Sequence, residues 1–401
     1  MADHIPFVYT SDDCKMLKAL YGDSALVRVS LQTKDKTLQG IPPGMGLWVD
    51  GAVDGLHGWK PQRTTKEDRE TTRYEAYDAY IEGFTAYERI GDADFQKKPQ
   101  NDVVKQFVES VLDRCSGLSP KPAWVSVPQL PMVSDASRNR INRLLAQNAA
   151  EWKRTRKYSG KLILPVIFTH PGQVNLRTLR KREHVTECYK HADAQGVWVV
   201  DSKLNDQEGS GTLEKRFQGL IRFHDELAGS LPSDAIRIGG PYWGMNLVLW
   251  ARGLIHFPAI GLGSAYRYFI PGLAPPPPRS RVALGPLRRQ AFADPGLDGW
   301  VAKAISSTVS DEAARSEFSD LAQKLPRLRR SRELSKNQVA KFYKDWFDGL
   351  ASVPKSGRAL ALFQDLSKAF VLGRSLPSLP DKEKTARRPD RVAQQLMLNC
   401  L

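Results

Sequence analysis

From residue 47 to 269 the chain alternates short, almost wholly apolar runs with longer segments in which apolar positions recur every three or four residues. The first pattern predicts buried strands and the second amphipathic helices. Strands are expected at 47–49, 123–128, 161–170, 196–201, from 236 to the Gly239-Gly240-Pro241 break, and at 259–262. Helices are expected at 102–114, 137–157, 177–194, 212–228 and 246–253. Strands and helices taken in turn predict a parallel sheet, most simply a closed (β/α)8 TIM-like barrel. Residues 1–46 read as a mixed opening segment, with a helix at 14–21 and a strand at 25–31. An aromatic stripe between 64 and 90 (Tyr74, Tyr77, Tyr80, Phe84, Tyr87) has helical spacing and reads as core packing rather than a base-stacking platform.

The pattern changes after the barrel. Pro275–Pro278 continue neither a helix nor a ladder and make a stiff spacer within a linker at 273–285. Residues 286–401 read as a basic, mostly helical accessory domain whose densest positive cluster holds Arg327, Arg329, Arg330 and Arg332. Charge changes the functional picture. The chain carries a formal +15. From residue 279 to 401 there are 23 Lys and Arg against 13 Asp and Glu, so about two thirds of the excess lies there. Such an excess suits a polyanion, DNA or RNA first and an acidic membrane surface second. A further basic helix, at 137–157, has the same charge but also suits a plain solvated face.

Several chemistries are disfavoured. Cys14, Cys115, Cys188 and Cys400 are scattered, with neither a C-x-x-C nor a nearby His pair, so neither a zinc site nor a disulfide framework is expected. There is no phosphate-loop, dinucleotide, H-E-x-x-H or G-x-S-x-G motif, and no metal or cofactor is expected. The N-terminus lacks an apolar core, and no run approaches the roughly 18–20 residues a spanning helix needs, so a cytoplasmic protein is expected.

Two carboxylates remain, Asp50 and Asp201, each just beyond an apolar strand where barrel enzymes carry their chemistry. Two carboxyl groups facing one pocket are what cleavage or exchange of a glycosidic bond requires. Asp50 also suits a turn cap, and Asp54 and His57 stand nearby as alternatives. The segment after the last strand adds Tyr266, Arg267 and Tyr268, a charge between two stacking faces.

With these motifs in view, the order of segments from Asp50 to Arg267 resembles the barrel of the tRNA-guanine transglycosylases and their DNA-acting relatives that insert 7-deazaguanine bases. VDGAVDG resembles that family's aspartate-glycine motif. LPVIFTHPGQVNLR resembles its glutamine-glycine turn followed by L-R. IGGPYWGMNLVLWARGLIHFPAIGLGSAYRYF resembles the closing glycine, A-R-G and final-strand region. The likeness covers roughly half the chain. Two departures stand out. Where the family has its last-strand aspartate this chain reads His256-Phe257-Pro258-Ala259, and the cysteine-rich zinc site is absent.

The resemblance implies a base exchange, on DNA more than on tRNA, in which a flipped-out guanine is replaced by a 7-deazaguanine co-substrate. Asp201 would attack C1′ and Asp50 would assist proton transfer. His170, Gln173 and the Gly239-Gly240 backbone would contact the base, Tyr266 or Tyr268 would stack, and Arg267 would hold a phosphate. Two rival readings stand beside it. One is a carbohydrate hydrolase with Trp48, Trp198 and Trp243 lining its groove. The other is a nucleic-acid-binding barrel without chemistry.

Overall fold

The structure, a computed structural model, describes residues 4–22, 26–33, 35–58, 77–132, 136–168, 179–205, 211–262, 266, 268, 280–380 and 387–401. Eight strands close a parallel barrel in chain order. They are β1 (Ile5–Val8), β2 (Leu26–Ser30), β3 (Gly46–Asp50), β4 (Trp124–Ser126), β5 (Lys161–Phe168), β6 (Gly196–Asp201), β7 (Ile236–Gly239) and β8 (Phe257–Gly261). β8 pairs with β1 through Ile5 and Ala259, which removes every free sheet edge. Helices α1 (Ser11–Leu20), α2 (Asn101–Ser116), α3 (Ala136–Thr155), α4 (Leu179–His191), α5 (Gly211–Ser230) and α6 (Gly244–Ala251) follow β1 and β3 to β7, and a short helix, Asp35–Gln39, follows β2, so the fold is the expected (β/α)8 barrel.

The barrel begins earlier than the sequence reading places it. Residues 1–46 hold β1 and β2 and are part of the barrel rather than a separate segment. Ile5-Pro6-Phe7-Val8 is buried throughout, and four residues with an internal proline carry too little periodicity to announce a strand.

Aromatic side chains fill the barrel interior. Phe7 (β1), Trp48 (β3) and Trp198 (β6) meet edge to face, with ring centroids 5.3–5.8 Å apart. Their indoles find partners in place. Trp48 Nε1 donates to Ser126 Oγ at 2.9 Å, and Trp198 Nε1 to the Gly240 carbonyl at 2.7 Å. This contact fixes which residues face inward. On β3 Trp48 and Asp50 share the inner face, and on β6 Trp198 and Val200 do, because side chains alternate along a strand.

The region beyond residue 280 also differs from the expected arrangement. Within the reach assigned to the linker, β9 (Arg281–Leu284) pairs with β10 (Arg289–Phe292) as an antiparallel hairpin. That hairpin, α7 (Gly296–Ser307) and α8 (Glu312–Arg330) have a separate core around Leu287, Trp300, Phe318 and Leu325. By contrast α9 (Arg332–Ala351), α10 (Arg358–Ser375) and α11 (Arg391–Met397) belong to the barrel's own core. Tyr343, Trp346 and Phe347 of α9 pack on Trp243, Trp250 and Tyr266. The tail is therefore not one accessory domain. Its last helices are a layer of the barrel because they supply the aromatic surface that covers α6.

Candidate active site

The stretch Val49-Asp50-Gly51-Ala52-Val53-Asp54 carries the chain off β3 and back across the mouth of the barrel, and each residue has a physical reason. A Cβ on Gly51 would lie 2.7 Å from Val111 of α2, so only glycine fits there. Ala52 takes a left-handed φ of 51°, a conformation that needs outside support. Two tyrosines give it: Tyr77 Oη donates to the Ala52 carbonyl at 3.3 Å and Tyr80 Oη to the Gly51 carbonyl. Of the aromatic stripe, Tyr74 lies outside the described residues, Tyr77 and Phe84 are buried as expected, and the hydroxyls of Tyr77 and Tyr80 hold the loop. Asp54 then opens a short 3-10 helix, Asp54–Gly58.

Asp50 and Asp54 are 6% and 2% exposed, which is rare for carboxylates. Arg28, on β2 and just as buried, donates through Nη2 to Asp50 Oδ2. Its guanidinium lies 4.5 Å from the Phe7 ring centroid and 5.1 Å from that of Trp198, on top of the aromatic filling. Arg28 Nε has no partner among the described residues. Tyr268 crosses from beyond β8 and donates its hydroxyl to Asp54 Oδ2 at 3.0 Å, with its ring edge-on to Trp198. Burial pushes the Asp54 carboxyl up from 3.8 to about 8. The charge of Asp50 adds to that rise, while the Tyr268 hydrogen bond and Arg28 oppose it. Tyr268 is itself held well above its ordinary value, first by burial and then by the two aspartates, so it stays a donor. One buried acid is thus protonated at neutral pH beside a second that is ion-paired. That separation of roles is what acid–base chemistry at a single carbon needs.

Asp201 does not join this network. It lies three residues beyond inward-facing Trp198, which puts it on the opposite face of the sheet. There Arg216 of α5 grips both oxygens, Nε to Oδ2 at 2.9 Å and Nη2 to Oδ1 at 2.6 Å, and the Lys203 N–H adds a third bond at 2.9 Å. The Asp201 N–H in turn donates to Tyr242 Oη at 2.5 Å. The expected Asp50–Asp201 pair over one sugar is therefore corrected: Asp201 clamps the turn after β6 to the helix layer.

The remaining expected contacts divide. Gly239 points at Ile255 and Leu249 in the helix layer. Gly240 spends its N–H on the Val199 carbonyl and its own carbonyl on Trp198, so this pair serves barrel closure rather than a base edge. Tyr266 is 5% exposed between Trp243 and Tyr343, a core residue with no open stacking face. His170, Gln173 and Arg267 lie outside the described residues. Arg327, Arg330 and Arg332 are exposed, whereas Arg329 donates to the Ala293 carbonyl at 2.9 Å and pairs with Asp298. Trp48, Trp198 and Trp243 are each 0% exposed, so none lines a sugar-binding groove.

Two participants were missed. Arg28 stands alone in the run Leu-Val-Arg-Val-Ser, and a charge inside a buried strand demands a partner, which was the available signal. The other is Tyr9, 41% exposed beyond β1 and next to Phe7, whose hydroxyl is buried near Arg28 and Asp50.

The site thus belongs to a closed (β/α)8 barrel carrying two buried carboxyl groups on its carboxyl-terminal rim. The chain matches no protein-family model and no curated protein. Among the described residues no helix is long and apolar enough to cross a membrane.

Proposed function

We propose that the protein cleaves and re-forms a glycosidic bond with Asp50 and Asp54 as its two carboxyl groups. The substrate proposed is a nucleoside within a polynucleotide. The observation that carries this reading is the buried Asp54 carboxyl, pushed up to about 8 beside an aspartate held by Arg28. Asp54 gives its proton to the leaving base as the C1′–N bond breaks and the bonding pair departs with the base. The Asp50 carboxylate, oriented by Arg28, attacks C1′ and forms a glycosyl ester. An incoming base loses a proton to Asp54 and attacks C1′ in turn, and Asp50 leaves with the electron pair. Atoms and charges balance without a cofactor.

The +15 charge and the family resemblance favour a polynucleotide, and the resemblance supplies the specific form, guanine exchanged for a 7-deazaguanine base, in DNA more than in tRNA. The burial of all three candidate tryptophans weighs against the carbohydrate reading.

Incubating the chain with polynucleotide and labelled guanine or 7-deazaguanine tests the proposal. The wild-type chain is expected to incorporate label, and Asp54→Asn and Asp50→Asn to lose roughly 100-fold or more of the rate. Absence of incorporation by the wild-type chain overturns the exchange reading. Full activity in both variants overturns the residue roles.

A further inference from the structure

The arginines where α8 meets α9 and the mouth of the barrel stand far apart in sequence, yet the packing of α9 brings them to one side of the molecule. β1 runs up to the mouth and ends at Val8, and Tyr9 and the start of α1 lie on that rim. Asp13, in the first turn of α1, accepts from the Tyr9 N–H at 2.9 Å and from Lys336 Nζ at 3.2 Å. Lys336 is in the first turns of α9. Lys15 and Glu333 meet one turn earlier along α9, at 3.6 Å. At the other end of the same helix, Phe347 meets His4, at the foot of β1, with centroids 4.6 Å apart. Lys344 lies 5.8 Å from the ring centroid of Tyr21, just past the end of α1. Helix α9 therefore descends beside α1 from rim to base, and its first residue, Arg332, sits on the rim side.

The chain makes its elbow there. Ser331 caps α9 through the Leu334 N–H, and the last turn of α8 ends on Arg330. Arg327, Arg330 and Arg332 are exposed, and none makes an ion pair with a described residue. Of the acidic groups close by, Asp298 pairs with Arg329, while Asp12 and Glu333 share the single charge of Lys15. Three charges without an ion pair to a described residue, within six residues, form a positive ridge on the rim side of the molecule, where Tyr9, 41% exposed, also lies.

We infer that this elbow is the docking ridge for a single strand of polynucleotide. Arg327, Arg330 and Arg332 hold consecutive phosphates while the strand passes over Tyr9 and one nucleotide enters the mouth. The inference rests on the polynucleotide reading above and adds where the strand lies. An aromatic face beside a line of cations is the usual construction for holding single strands without reading sequence. Arg329, committed to Asp298 and Ala293, takes no part.

The test is the salt dependence of binding, by the full chain, of a fluorescent single-stranded oligonucleotide, as DNA and as RNA. The chains compared are wild type, the triple variant R327Q/R330Q/R332Q and D54N. Replacing three phosphate contacts is expected to lower the slope of log affinity against log salt by about 2, at roughly 0.7 per contact on a single strand. D54N is expected to bind like wild type while losing exchange. Undiminished slope and affinity in the folded triple variant, with wild-type binding intact, overturn the ridge and leave the chemistry standing. Wild-type binding to anionic phospholipid vesicles but to neither oligonucleotide overturns the ridge and the polynucleotide substrate together.

Discussion

Two aspartates at strand ends of the same barrel, each buried and each paired with an arginine, end in opposite roles. Asp201 is held by three bonds, two from Arg216 and one from the Lys203 N–H, with both oxygens engaged. Asp50 shares its arginine less completely, since Arg28 engages it through one nitrogen and its Nε meets no partner among the described residues. Its neighbour Asp54 has, among the described residues, only Tyr268 as a side-chain donor. The outward clamp is the more fully bonded of the two, and the inward pair is the one proposed to act. A buried guanidinium nitrogen without a partner among the described residues costs stability, which fits a place for a ligand group.

The largest expected separation between the two regions is in rate and stability. Asp54→Asn is expected to remove roughly two or more orders of magnitude of exchange while leaving the fold intact, read by label incorporation and thermal melting. Asp201→Ala is expected to do the reverse. Removing one partner strands Arg216 as a buried charge and costs about 3–5 kcal/mol in denaturant unfolding, with the rate per folded molecule nearly unchanged. Equal loss of activity in the two variants would erase the distinction.

A smaller effect lies in the pH dependence of stability. The folded pKa of Asp54, about 8, is raised above the unfolded 3.8, so the folded state binds the extra proton between those values. The contribution of this group is fully present below pH 4 and is lost as pH rises to about 8, at about 1.4 kcal/mol per pH unit. Asp54→Asn is expected to flatten that slope, whereas Asp201→Asn is expected to retain it. Unfolding free energies measured from pH 4 to 9 decide the point.

The smallest effect is a displaced pH profile. Exchange should fall as pH rises past about 8, where Asp54 loses its proton. The Tyr268 hydrogen bond opposes the rise in the Asp54 pKa, so Tyr268→Phe is expected to move the falling limb to higher pH. A limb that stays put in Tyr268→Phe argues that another group controls it.

The alternation of apolar runs and helical periodicity made the barrel legible from residue 47 onward, because buried parallel strands read as continuous apolar segments. That same continuity hid which way each aspartate points. In Gly196-Val-Trp-Val-Val-Asp201 both faces are buried, so no polar alternation marks the inner one, and only the contact of Trp198 with Phe7 and Trp48 reveals it. Asp50 was visible for its position after β3, and Asp54 stood beside it as an alternative. Their coupling to Arg28 and Tyr268 was not visible, since it joins residues 28, 50, 54 and 268 across the closed sheet. The tail misled for a related reason. Its aromatic helix α9 has the composition of an independent domain, but its partners lie in α6 and at the foot of β1.

The most direct measurement is a carboxyl ¹³C NMR titration of Asp54 in the wild-type chain and in Asp50→Asn. A midpoint near 8 is expected in the wild type, moving down when the Asp50 charge is removed. A wild-type midpoint near 4, unchanged in the variant, would contradict it.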